Sequence, residues 1–190
     1  MRLENSFGVP AGFEQSWRLL NDVPSVVPCL PGAELVEVVG ENAWKAKLHV
    51  KLGPIALQFL ADVVRERSDE AAGLVVLTAK ARESKGRGSA EATIESTLTA
   101  ADGGTRVAIV TELALRGAVA QYGRGVVGDV ASRLTAQFAD CLGGKLATAE
   151  SGPASPTAPA SPKPIPALGL VLAALRRALF RRVRHERTTP

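Results

Sequence analysis

The 190-residue chain has little of what most catalytic and structural chemistry needs: two cysteines, two histidines, one tyrosine, one methionine and 4% aromatic residues overall. Two cysteines are too few for a disulfide framework and lack the paired spacing of a zinc site, so Cys29 reads as a small buried apolar group and a reducing compartment is expected. His49 and His185 have no neighbours in sequence that would complete a triad or a metal cluster, and both read as solvated side chains. No run approaches the about 20 apolar residues that span a bilayer. The amino terminus holds no apolar stretch of signal-peptide length, so export is not expected. Gly123-Arg-Gly-Val-Val-Gly128 has dinucleotide-loop spacing but does not follow a strand of a parallel βαβ unit, and is discounted.

Charge is present but unevenly placed. From Lys163 to Pro190 there are seven basic residues and one acid, Glu186, while the preceding residues hold 16 basic and 18 acidic groups. The basic character therefore belongs to the tail, and the body is not a nucleic-acid binder by charge. Residues 151–166, SGPASPTAPASPKPIP, contain six of the twelve prolines and cannot pack a core. These features divide the chain into a folded domain over 1–149, a Pro/Ala/Ser-rich linker over 150–166 and a basic amphipathic tail over 167–190.

On a helical projection of the tail, Leu168, Val171, Leu172, Leu175, Leu179 and Val183 share one side, with Arg177, Arg181 and Arg184 opposite. Arg176 and Arg182 stand at the borders, where long stems lie along an apolar layer and lift their charges to phosphates. Together with Phe180 these residues describe a helix lying in a membrane interface. The same leucine face would also suit a partner protein or the chain's own domain.

The body changes period along its length. Arg2 to Val9 alternates as a strand closed by Pro10, and Ala11 to Asn21 reads as a short helix with Phe13, Trp17 and Leu20 on one side. Three prolines between Asp22 and Gly32 permit only short helical turns. From Ala33 to Arg116 the period is two, giving a meander in which Trp44, Ala46, Leu48, Val50, Leu57, Phe59, Ala61 and Val63 face inward. After Gly117 the period returns to 3.6, with Val119, Val126, Val130, Leu134, Phe138 and Leu142 on one stripe of a helix reaching about Leu146. The expected class is α+β, a curved antiparallel sheet clasping one long helix.

Gly123, Gly125 and Gly128 weaken that helix by up to about 1 kcal/mol each relative to alanine. Either space is kept beside the helix, as an apolar void for a lipid-like molecule, or the glycines permit close packing on the sheet. Candidate cavity residues are Trp17, Val27, Leu30, Leu57, Phe59, Leu77, Ile94, Leu98, Ile109, Val119, Tyr122, Val126, Val130 and Leu134. Arg124 is a candidate polar group at the mouth, and Arg18 and Asp22 could join it, although Asp22 is better placed to cap local backbone.

Phe7 with Pro10, Phe13 with Trp17, Asp22-Val-Pro, Val27-Pro-Cys-Leu-Pro-Gly32, Val50-Lys-Leu-Gly-Pro54 followed by Phe59, Gly104-Thr105 and Gly117-Ala-Val-Ala-Gln-Tyr-Gly-Arg124 resemble the carbon monoxide dehydrogenase G-subunit family. That family lies within the polyketide-cyclase/START-like superfamily of helix-grip domains. One departure is Ala139 after Phe138, where family members often carry a second phenylalanine. The resemblance implies a non-catalytic accessory protein that recruits carbon monoxide dehydrogenase, or a related molybdenum hydroxylase, to the inner face of the cytoplasmic membrane. It further implies an apolar cavity for a quinone, menaquinone or ubiquinone, with no covalent cofactor. A ligand-free recruitment adaptor and a small-molecule cyclase or hydratase are the alternatives.

Overall fold

A computed structural model describes residues 1–52 and 55–150. The chain divides into two units, Met1–Gly152 and Pro153–Pro190. The tail residues singled out above, Leu168, Leu172, Leu175, Arg176, Arg177, Leu179, Phe180, Arg181, Arg182 and Val183, lie outside the described residues, as does the linker from residue 151.

Alternation of apolar and polar residues builds seven strands: β1 (Arg2–Val9), β2 (Ala33–Gly40), β3 (Ala43–Leu52), β4 (Ile55–Asp69), β5 (Leu74–Glu83), β6 (Gly88–Ala101) and β7 (Gly104–Gly117). They form one antiparallel sheet in the order β1-β7-β6-β5-β4-β3-β2, so the chain meanders from β2 to β7 and the first strand closes on the last. Pro10 ends β1 as expected, because it cannot donate to the ladder. The edge strand β2 is bulged twice, between Leu35 and Glu37 and between Val38 and Gly40, and exposes Val36, Val38 and Val39.

Between β1 and β2 the chain forms α1 (Phe13–Asn21), the four-residue α2 (Val23–Val26) and a 3-10 turn (Val27–Cys29). Phe13 and Trp17 stack with centroids 6.0 Å apart. Asp22 caps α2, its carboxylate accepting from the Ser25 amide at 3.3 Å and from the Ser25 hydroxyl at 2.5 Å.

The final helix differs from the continuous one expected after Gly117. Residues Ala118–Tyr122 form a 3-10 turn, and α3 runs from Gly123 to Glu150. Gly123 separates the two with φ +72°, a left-handed conformation that an L side chain resists. Val119 consequently leaves the helix stripe and is buried under the sheet. Gly88 and Gly117 allow the turn to come this close: a Cβ on Gly117 would stand 2.9 Å from the Gly88 Cα, and one on Gly88 would stand 2.8 Å from Val119.

The reading of Cys29 as a free buried thiol is also corrected. Cys29, in the 3-10 turn before β2, is bonded to Cys141 of α3 across 112 residues. The expectation of a reducing compartment rested on free thiols and loses that support. Among the described residues no helix is long and apolar enough to cross a membrane.

Candidate functional site

Strand partners that stand directly opposite share a face of the sheet. The registers therefore place Val63, Ala79, Ala92 and Leu113 in one row on the concave side. Leu77, Ile94, Thr111 and Leu3 make the next row, and Val75, Ser96, Ile109 and Asn5 the one after. Most of these inward apolar residues are only half-buried. In a filled core they would be nearly inaccessible.

The reason lies in where α3 rests. The helix packs on the edge strand β1 and on the two 3-10 turns rather than across the middle of the sheet. Its second half is held firmly: Leu142 and Leu146 join Val9, Ala11, Val26 and the disulfide in one cluster, with Phe138 edge-on to Phe7 at 6.1 Å. At mid-helix the Ser132 hydroxyl donates to Asn5 Oδ1 at 3.3 Å. No residue of α3 before Phe138 belongs to any hydrophobic cluster of the described residues. A Cβ added at Gly123, Gly125 or Gly128 would meet nothing within 4 Å, so the glycines do not serve close packing. Val126, expected to face the cavity, is 43% exposed.

Three clusters surround these half-buried residues, the first two meeting at Phe7 and Leu20. The first is the disulfide cluster. The second gathers Trp17, Val75, Leu98 and Val107, with Leu77 and Ile109 against it. The third gathers Leu57, Phe59 and Val119, with Tyr122, Leu115 and Leu48 around them. Of the candidate cavity residues, Trp17, Leu57, Phe59, Leu98 and Val119 are buried and act as packed wall. Leu77, Ile94, Ile109, Tyr122, Val130 and Leu134 are half-buried, and Val27 and Leu30 are half-buried beside the disulfide. Ser96 and Thr111 add two hydroxyls on the concave side that make no hydrogen bond within the described residues. A depression of about 460 Å³ lies over β5 to β7, lined by outward residues such as Thr78, Lys80, Glu91, Thr93 and Glu112 and also by Ala79, Ala92 and Leu113 of the first row above. It contains none of the candidate cavity residues.

The polar mouth expected from Arg18, Asp22 and Arg124 does not assemble. Arg18 pairs with Glu14 on the surface of α1, Asp22 caps α2, and Arg124 is exposed on the first turn of α3. Two inward charged residues that sequence reading passed over occupy the concave side instead. Arg65 lies over the Trp44 ring, its guanidinium carbon 5.4 Å from the centroid, and donates to the Asn21 carbonyl and Asn42 Oδ1, each at 2.9 Å. It thereby ties α1 to the β2–β3 turn. Glu83 has a fully buried side chain. Its carboxylate accepts from Arg87 Nη2 at 2.9 Å and from the amides of Lys85 at 2.8 Å and Arg87 at 3.1 Å. The same guanidinium donates to the Ala56 carbonyl, and the Arg87 carbonyl accepts from the Val119 amide. Both residues continue an inward alternation, Arg65 after Ala61 and Val63, Glu83 after Ala79 and Ala81.

The Arg87 side chain, followed by the two amides, holds the Glu83 carboxyl at about 2 instead of an ordinary 4.5, against the opposing effect of burial. A carboxyl depressed on folding stabilises the fold above its unfolded pKa and loses that contribution as pH falls. Glu83→Gln is therefore expected to melt several degrees below the parent protein at pH 6, with the gap closing between about pH 4.5 and 2. Thermal unfolding followed by circular dichroism across that range checks it, and a gap independent of pH would refute the assignment.

The family model for CoxG, the G subunit of carbon monoxide dehydrogenase, matches residues 6–147. Comparison with curated proteins gives no match. Among solved structures, a conserved protein from Geobacillus kaustophilus is similar at TM-score 0.70 and 22% identity, covering 78% of this chain and 97% of that one. The Zhui aromatase/cyclase from Streptomyces sp. R1128 is similar at TM-score 0.56 and 15% identity, covering 77% and 93%. A START superfamily protein from Mycobacterium smegmatis is similar at TM-score 0.53 and 12% identity, covering 78% and 98%. At these identities the likeness concerns the fold, the helix-grip architecture expected from the sequence.

Proposed function

The chain belongs to the CoxG family of carbon monoxide dehydrogenase, and on that premise we propose that it is a non-catalytic accessory protein that carries a lipophilic molecule in the hollow beside α3. The cargo is a respiratory quinone, menaquinone or ubiquinone. The enzyme it serves is carbon monoxide dehydrogenase or a related molybdenum hydroxylase, at the inner face of the cytoplasmic membrane. One observation carries this reading: a concave wall of half-buried Leu, Ile, Val and Ala side chains facing a helix whose first half leaves space. Apolar surface left partly wet costs about 25 cal/mol for each Å² that a ligand would cover, so such a wall favours an isoprenoid chain over water.

The donor chemistry also suits a quinone. Ser96 and Thr111 offer hydroxyls on an otherwise apolar floor, enough to orient a carbonyl without the converging acids and bases that a cyclase or hydratase would need. The family name supports the choice of partner enzyme. The cationic, leucine-rich tail supports the location, because basic residues and buried leucines together favour reversible attachment to an anionic leaflet.

Protein purified from membranes of the native host is expected to release an isoprenoid quinone on organic extraction, identified by mass spectrometry in near-stoichiometric amount. Protein that is consistently empty and takes up no added quinone would leave only a recruitment adaptor. Turnover of a small-molecule substrate by the quinone-free protein would instead favour the cyclase class.

A further inference from the structure

The two ends of the sheet differ in charge. At one end lie the β2–β3, β4–β5 and β6–β7 turns, where Glu41, Asp69, Glu70 and Asp102 stand against Arg65, Arg67 and Arg106. At the other lie the last residues of β3, the β5–β6 turn and the β7–α3 connection, the latter two joined by the Gly88 to Gly117 pairing and the Val119 amide bonded to the Arg87 carbonyl. The chain that forms this second end carries Lys47, Lys51, Arg82, Lys85, Arg116 and Arg124. Of its carboxylates, Glu83 is buried and neutralised by Arg87, and Glu34 of β2 stands opposite Lys47. Among the described residues, Arg116 alone of those six makes an ion pair, a long one of 3.9 Å to Glu91.

On the outward face the registers align Glu34, Lys47, Leu60, Arg82, Ser89 and Arg116 in a single row across six strands. Leu60 in its middle is 49% exposed. Exposed Ala118 and Ala120 lie between Arg116 and Arg124, and the uncovered first half of α3 begins at this same end. The body carries slightly more acid than base, so this cationic end reflects placement and not composition.

We propose that this end of the body is a second membrane-contact surface, a predominantly cationic rim that meets an anionic lipid leaflet beside the first half of α3. The charges are spread over the β5–β6 turn, the β7–α3 connection and one strand row, which suits the delocalised field of a lipid surface better than the point-to-point pairing of an acidic protein. Small apolar residues between the arginines let the rim sit at headgroup level while the long stems reach phosphates. This inference rests on the carrier reading for its purpose, since a bilayer at the rim puts lipophilic cargo beside the space next to α3. The contact itself does not depend on cargo.

The test uses the full chain and quinone-free vesicles of phosphatidylcholine with or without phosphatidylglycerol. Amide hydrogen exchange at 84–88 and 117–122 is expected to slow on phosphatidylglycerol-containing vesicles and to remain unchanged on phosphatidylcholine alone. Joint reversal by Arg82→Glu, Lys85→Glu and Arg116→Glu is expected to lower partition onto the anionic vesicles at least about tenfold. Should reversal disturb folding, the milder Arg82→Gln and Lys85→Gln pair is expected to give a smaller loss in the same direction, and added salt to weaken the exchange protection of the unaltered protein. Exchange at these turns that ignores phosphatidylglycerol would overturn the proposal. So would a charge-reversed protein that partitions normally but no longer copurifies with its enzyme, which would assign the rim to an acidic protein. Because no quinone is present, failure of the cargo reading leaves these outcomes untouched.

Discussion

Replacing both Cys29 and Cys141 with alanine lowers the melting temperature by roughly 5–15 °C, as does reducing the bond with a dithiol in the unaltered protein. The pair closes a loop across 112 residues, and cross-linking a loop of that size removes conformational freedom from the unfolded chain worth about 2–4 kcal/mol in typical cases. The folded state adds a local reason. The bond sits in the cluster that joins α3 to α2, the first 3-10 turn and β1, so its loss weakens the one region where α3 is firmly packed. Calorimetry of the oxidised, reduced and doubly substituted proteins measures the effect, and equal melting temperatures for all three would mean that the bond contributes nothing to the native fold. The substitution should disturb the middle of the sheet less, since Trp17, Val75, Leu98 and Val107 form a second cluster that meets the disulfide cluster at Phe7 and Leu20.

Ile94→Trp distinguishes a hollow from a packed interior by the sign of two effects. Ile94 is half-buried on the concave side between Leu77 and Thr111 and belongs to none of the three clusters. In a filled core the added ring would force displaced rotamers and cost about 1–3 kcal/mol. In a hollow it finds room and covers apolar wall, so stability is expected to stay within about 1 kcal/mol of the parent or to rise. Uptake of a short-chain quinone, followed by quenching of intrinsic tryptophan fluorescence or by equilibrium dialysis, is expected to fall at least about tenfold because the ring occupies the ligand's volume. A destabilised protein that binds quinone normally would refute both the hollow and its use.

The regular parts of this fold were legible because they depend on local pattern. Alternation from Arg2 to Val9 and the proline after it define β1, and the two-residue period from Ala33 to Arg116 marks the meander that β2 to β7 form. What resisted reading depends on contacts between distant residues. Nothing near Cys29 announces Cys141, because the closeness of the two arises only once α3 has packed on β1. The break at Gly123 was hidden because Val119 continues the helical spacing of Val126 and Val130, and only a left-handed glycine shows that the spacing is coincidental. Arg65 and Glu83 were readable in principle, since each falls in phase with inward alanines and valines. A charged residue at an inward position invites being read as the end of a strand, and here each is instead held by partners, Trp44 and Asn21 for one, Arg87 for the other. The role of the three glycines was ambiguous in one dimension, because whether a missing side chain serves contact or vacancy depends on what stands opposite.

The doubled bulge of β2 has a bearing on how these molecules behave when crowded. A lateral strand showing Val36, Val38 and Val39 would ordinarily invite copies to join edge to edge into fibrous stacks. Two interruptions within eight residues spoil the even spacing of its free amides and carbonyls, leaving a newcomer no run long enough to zip against. Crowded copies can therefore stay separate, with the exposed carboxylates of Glu34 and Glu37 adding like charge to the same flank.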